Sequence, residues 1–171
     1  MSRLVIQGRA AALQGTTSLP GDKSISHRAL MLGALADGTS AVRGFLPSRD
    51  CLATVACMRA LGIEVDRPGP TDVVIHGRGL DGLQPPAEPL DCVRSGTTMR
   101  LLSGILAGQP FESAVTGAPQ LLRRPMRRIT RPLRSMGAEI DDPEGDAPLT
   151  IRPGELRGRE HVLPVASAQV K

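Results

Sequence analysis

Tryptophan and tyrosine are missing from this 171-residue sequence, and two phenylalanines bring the aromatic content to only 1%. That shortage removes the stacking platforms that single-strand nucleic-acid binders use. Long apolar runs are lacking too: the longest, Ala29 to Ala36, is eight residues and contains Gly33, too short to span a bilayer. The opening MSRLVIQGRA has no charged n-region followed by an apolar stretch, so no secretory signal is read and a cytoplasmic protein is expected. Cysteine is scarce, with Cys51, Cys57 and Cys92 forming no CxxC pair, which suits a reducing compartment. His27, His76 and His161 do not recur at ligand spacing, so no metal site is expected.

What is present is arginine. Net charge is only +4, but it rests on 21 basic residues, nearly all of them arginine, the side chain best suited to bidentate capture of phosphate and carboxylate. With nucleic acid disfavoured, small anionic ligands are the expected partners, and no cofactor is called for.

The sequence also repeats. KSISHRALMLGALADG (23–38) aligns without gaps on RSGTTMRLLSGILAGQ (94–109), pairing Lys23 with Arg94, Ser24 with Ser95 and Gly33 with Gly104. MRALGIEV (58–65) aligns on LRSMGAEI (133–140), and VVIHGRG (73–79) on LTIRPG (149–154), in the same order. The spacing predicts a helix opening at Ser24, with Ala29, Leu32, Gly33 and Ala36 in one stripe and Asp37-Gly38 as a left-handed stop. A strand over 40–45 follows. Then comes a helix N-capped by Ser48, with Asp50 in its first turn, Leu52, Val55 and Ala56 buried and Gly62 as terminator. Strands around 63–65 and 73–75 are joined by the turn Pro68-Gly69-Pro70. With a strand before Lys23 the unit is βαβαββ. In the second copy the later helix is expected to open at Pro125 as N1, to bury Met126, Ile129, Leu133 and Met136, and to be kinked or shortened by Pro132. PVASAQVK (164–171) resembles PGDKSISH (20–27), so a third copy is expected to begin at Pro164, with Lys171 a truncation within its first helical turn. The expected division is 1–19 as a leading strand region, 20–89 and 90–163 as two repeats, and 164–171 as the start of a third.

Candidate chemistry gathers at the helix starts. Gly21 to Arg28 puts Lys23, Arg28, two hydroxyls and free helix N–H groups around one point, suited to an anion. The segment Gly15 to Ser24 is not a Walker A loop, because it lacks the Gly-Lys-[Ser/Thr] ending at the required distance. Arg94-Ser95-Gly96-Thr97-Thr98 repeats the device, with Gly96 admitting close backbone approach. Arg124, Arg127, Arg128 and Arg131 fall at helical spacing and read mainly as a solvated face. Arg124, held in a loop by Pro125, is the one expected to reach a ligand.

LPGDKSISHRALMLGALADGTSAVRGFLPSRD, SGTTMRLL, LLRRPM and ASAQVK, in this order, resemble the N-terminal motifs of the 5-enolpyruvylshikimate-3-phosphate synthase family. The resemblance implies an inside-out α/β fold: two domains of three βαβαββ units each, with the active site between them and the first strand belonging with the C-terminal domain. It implies transfer of the enolpyruvyl group of phosphoenolpyruvate to the 5-hydroxyl of shikimate 3-phosphate, by addition and then elimination of phosphate, in a monomer without a cofactor. Lys23 resembles the family lysine that touches both substrates and acts in proton transfer. Ser24, Arg28, Ser167, Ala168 and Gln169 resemble shikimate 3-phosphate contacts, Ala168 through its backbone alone. Gly96 and Arg124 resemble phosphoenolpyruvate contacts, and Gly96 implies room for glyphosate. The family's usual Gly-Asn is replaced here by Val93-Arg94. A UDP-N-acetylglucosamine enolpyruvyl transferase is the alternative, disfavoured because its Lys-Asn pair is Lys23-Ser24 here. A non-catalytic anion-binding chain is the other, since residues 1–171 alone are expected to be inactive.

Overall fold

The computed structural model describes residues 4, 5, 8, 12 and 14–162. Ser167, Ala168, Gln169 and the whole of the expected third copy lie outside them. Among the described residues ahead of the first helix there is no strand.

Helix α1 (Lys23–Leu35) opens one residue earlier than the spacing predicts, with Asp22 as its N-cap. Its carboxylate accepts the Ile25 N–H at 2.7 Å, satisfying an orphan donor and opposing the positive helix end. Lys23 therefore stands in the first helical position. The expected left-handed stop at Gly38 is not used: Ala36 turns extended, and strand β1 (Asp37–Arg43) begins at once, with Gly38 at φ +92° inside it. The expected apolar stripe is also rotated. Leu32 is 66% exposed, while Leu30, Met31 and Ala34 are buried. A helix rich in leucine, alanine and glycine has no single apolar face, and packing selects one.

Helix α2 (Arg49–Ala60) starts where expected, Ser48 Oγ accepting from the Cys51 N–H at 3.3 Å with Asp50 in the first turn. Cys51, Thr54, Val55 and Met58 form its inner face, and Ala56, expected inside, is exposed. Strands β2 (Glu64–Asp66) and β3 (Asp72–Arg78) complete an antiparallel sheet ordered β1-β3-β2. Val73 and Ile75 point into the core and alternate with outward residues, the period-two pattern of a sheet covered on one face.

The second unit runs β4 (Leu90–Asp91), α3 (Gly96–Leu106), β5 (Ser113–Thr116), α4 (Pro119–Leu122), α5 (Arg127–Ser135), β6 (Glu139–Asp141) and β7 (Leu149–Arg152). Its sheet, β4-β5-β7-β6, repeats the first order through β5-β7-β6 and adds β4 parallel to β5. This unit displays the whole βαβαββ plan. Pro125 is not the first residue of the later helix. Met126, fully buried with its N–H on the Gly145 carbonyl at 2.8 Å, is the N-cap of α5, and Pro132 is accommodated inside that nine-residue helix.

A matched pair of contacts recurs in the two units. Arg59 Nε donates to the Val65 carbonyl at 3.1 Å, and Arg134 Nε donates to the Ile140 carbonyl at 2.8 Å. In each copy an arginine near the helix end clasps the strand six residues on, across a glycine (Gly62, Gly137) whose positive φ makes the turn. The two units share one core, with Leu30, Met58 and Leu61 of the first joining Met99, Leu102 and Leu106 of the second.

Candidate functional site

The starts of α1, α2 and α3 meet where the two units join. Lys23, in the first turn of α1, forms a salt bridge with Asp50 in the first turn of α2. Asp50 also reaches α3, since its backbone carbonyl lies 3.4 Å from Thr98 Oγ1. At the start of α3, Ser95 is the buried N-cap and accepts the Thr98 N–H at 3.1 Å.

Gly96 follows, and guanidinium groups crowd it. A methyl group at its α-carbon would stand 2.7 Å from Arg100 Nη1 and 3.1 Å from Arg124 Nη1. Arg100 was not foreseen, although its place one turn beyond Gly96 is the available signal. Burial first, and then the charges of Arg128 and Arg124, push the Arg100 pKa down from its ordinary value. Its Nε is buried without a hydrogen-bond partner. Among the described residues none of Arg100, Arg124 and Arg128 forms an ion pair. Arg100 and Arg124 thus gather at the positive end of a helix, with Arg128 near enough to act on Arg100, and among the described residues none of them is paired with a carboxylate, which is an unfilled demand for an anion.

Among the sequence-predicted residues, the structure brings Lys23 (through Asp50 and Thr98), Gly96 and Arg124 to one region. Ser24 and Arg28 lie on the exposed side of α1, where Arg28 Nη1 donates to the Ser24 carbonyl at 3.3 Å. The second hydroxyl expected there is not free for a ligand. Ser26 is buried, donating to the Asp22 carbonyl at 2.7 Å and accepting the Leu46 N–H at 3.0 Å. Ser95 and Thr98 likewise turn their hydroxyls inward. Arg94 is exposed in the turn before α3. Arg127 and Arg128 are exposed, in line with the solvated face read from the sequence; Arg127 also donates to the Glu144 carbonyl, and Arg128 contributes to the field at Arg100.

Val93 has φ +54°. Its N–H donates to Asp91 Oδ1 at 2.7 Å, and its carbonyl accepts the Ala118 N–H at 2.6 Å, so the loop is held in a conformation that valine disfavours. Away from this region, Glu64, Asp66 and His76 approach one another on the outer face of the first sheet. His76 Nε2 contacts Asp66 Oδ2 at 3.0 Å, an exposed cross-strand pair.

Known proteins give the geometry a context. The family model for EPSP synthase (3-phosphoshikimate 1-carboxyvinyltransferase) matches residues 8–171. A 3-phosphoshikimate 1-carboxyvinyltransferase of Methylococcus capsulatus is 57% identical over 96% of this chain, and one of Pelotomaculum thermopropionicum is 56% identical over 96%. In each case the chain spans 38% of the relative's length. A solved EPSP synthase of Acinetobacter baumannii superposes with a TM-score of 0.86 at 48% identity, over 92% of this chain and 36% of that one.

Proposed function

This chain belongs to the EPSP synthase family, and from that premise we propose that it supplies the cationic side of an active site that transfers the enolpyruvyl group of phosphoenolpyruvate to shikimate 3-phosphate. In that reaction the phosphoenolpyruvate methylene carbon takes a proton, and the 5-hydroxyl oxygen of shikimate 3-phosphate gives up its own proton and bonds to the adjacent carbon. The tetrahedral adduct then breaks its bond to the phosphate oxygen, which leaves as inorganic phosphate, loses one proton from the methyl group and regains the double bond. Both substrates carry a phosphate and a carboxylate, so holding and stabilising negative charge is the main demand on the protein.

The single observation that supports this reading is the uncompensated arginine cluster around Gly96. Arg124 and Arg100 would hold the phosphate of phosphoenolpyruvate, with the first N–H groups of α3 beside them, and Arg128 would add to the field. That phosphate becomes the leaving group, so the same cations would favour its departure. Lys23 would touch both substrates and serve in proton transfer. Its pairing with Asp50 fixes where the ammonium sits before substrate arrives. Ser24 and Arg28 would meet shikimate 3-phosphate from the exposed side of α1, joined by Ser167, Ala168 and Gln169. Glyphosate would enter beside Gly96. We further propose a cytoplasmic monomer whose complete site needs more chain than residues 1–171. No helix among the described residues is long and apolar enough to cross a membrane.

Titration of this chain with phosphoenolpyruvate, followed by phosphorus NMR and calorimetry, tests the reading. Arg100→Ala and Arg124→Ala are each expected to weaken binding about tenfold or more, equivalent to about 1.4 kcal/mol or more. Unchanged affinity in both variants would overturn it, and steady phosphate release by residues 1–171 alone with both substrates would overturn the claim of an incomplete site.

A further inference from the structure

Four fully buried polar side chains form a continuous run across the junction of the two units. His27 Nδ1 on α1 lies 2.7 Å from Thr54 Oγ1 on α2. Thr54 Oγ1 lies 2.7 Å from Thr98 Oγ1 on α3, and Thr98 Oγ1 lies 2.7 Å from the N-cap Ser95 Oγ. All four residues are 0% exposed.

Each hydroxyl has one hydrogen, so with Thr98 Oγ1 donating to Ser95 Oγ, Thr54 must donate to Thr98 and His27 Nδ1–H to Thr54. The sense from His27 to Thr98 is the same if Thr98 donates instead to the Asp50 carbonyl, 3.4 Å away. The hydroxyls are thereby tied to one geometry. Stability alone does not call for this arrangement. Valine has almost the same shape as threonine, and replacing both members of a buried hydrogen-bonded pair by apolar groups of equal shape is often nearly neutral. What apolar contacts do not provide is direction, since hydrophobic burial tolerates sliding, whereas a 2.7 Å hydrogen bond does not. The contact between Thr54 and Thr98 links helices of different repeats, and it lies within one turn of both Asp50, which holds Lys23, and Gly96, which faces Arg100 and Arg124.

We propose that Thr54, acting through Thr98, is a positioning residue for the anion site: it locks the start of α3, with its free N–H groups, against the starts of α1 and α2. This inference rests on the reading of the Gly96 region as a phosphate site. Thr54 and Thr98 touch no ligand themselves; they set the distance between Lys23 and the Gly96 cradle.

The test uses the 171-residue chain, inorganic phosphate as the probe, and amide NMR to follow Gly96 and to measure hydrogen exchange at Thr98. Thr54→Val is expected to weaken phosphate binding five- to tenfold and to speed Thr98 amide exchange about tenfold, and Thr54→Ser is expected to restore both. Thr98→Val breaks the same contact between the repeats while leaving Thr54 paired with His27 and Ser95 paired with the backbone N–H of residue 98, so it should fold even if Thr54→Val does not, and it should show the same loss of affinity. Wild-type affinity in a folded Thr54→Val or Thr98→Val variant overturns the positioning role alone. Failure of wild-type Gly96 to respond to phosphate overturns the anion site and the positioning role with it.

Discussion

At Val93 the usual order of glycine and alanine should invert. In most loop positions alanine is the more stabilising of the two, because glycine has more conformational freedom to lose on folding, a difference of about 0.4–1 kcal/mol. Val93 has φ +54°, and its backbone is fixed on both sides by Asp91 and Ala118. A side chain with a β-carbon is disfavoured in this left-handed region by roughly 1–2 kcal/mol. Subtracting the entropy advantage of alanine leaves Val93→Gly more stable than Val93→Ala by about 1 kcal/mol. Both substitutions remove the two γ-methyl groups of Val93 and differ only by the β-carbon, so most of the lost packing cancels in the comparison. Urea denaturation at pH 7 provides the assay. With a denaturant slope of roughly 2–3 kcal/mol/M, the Val93→Gly midpoint should lie about 0.3–0.5 M above that of Val93→Ala. Equal midpoints, or a higher one for Val93→Ala, would refute the claim that the loop before α3 is strained.

Two further outcomes are expected. Gly96→Ala should fold normally, since the atoms it meets are the flexible ends of Arg100 and Arg124, but by displacing those guanidiniums it should lower phosphate affinity about tenfold; unaltered affinity by calorimetry would remove Gly96 from the site. Burial works against the Asp142 carboxylate, but hydrogen bonds from Arg134 and Thr130, with the charges of Arg134 and Arg127, outweigh it and hold its pKa below the ordinary value. A depressed folded pKa means that this contribution is present above the unfolded value, near 3.9, and is lost as pH falls through the folded value. Asp142→Asn should therefore destabilise by about 1–3 kcal/mol at pH 7 and much less near pH 2, and an equal deficit at both pH values by thermal denaturation would contradict the assignment.

Ser48 as a cap, Gly62 as a terminator and the βαβαββ repeat were legible in the residues because each depends on neighbours within a few positions. The arginine clasp is as local, with six residues from Arg59 to Val65 and six from Arg134 to Ile140, yet no capping or periodicity rule reports it. Lys23, Gly96 and Arg124 stood out for a similar reason, since a helix start and a residue held before proline are local facts. Misreadings arose where local rules offered several answers. The opening of α1 was read one residue late, at Ser24, and Leu32 was as apolar as Leu30, so only packing chose the buried face.

Sequence alone thus determined the repeated unit, the family resemblance and the cationic character of the helix starts, because periodicity and composition are properties of the chain itself. Tertiary structure alone decided that Asp50 would hold Lys23, that Arg100 would join Arg124 around Gly96, and that Thr54 would meet Thr98 across the repeat junction. Those partners are separated by 24 to 44 positions, and no spacing rule reaches so far. Their meeting follows from how two α/β units bury their apolar faces against each other, which brings distant helix starts together.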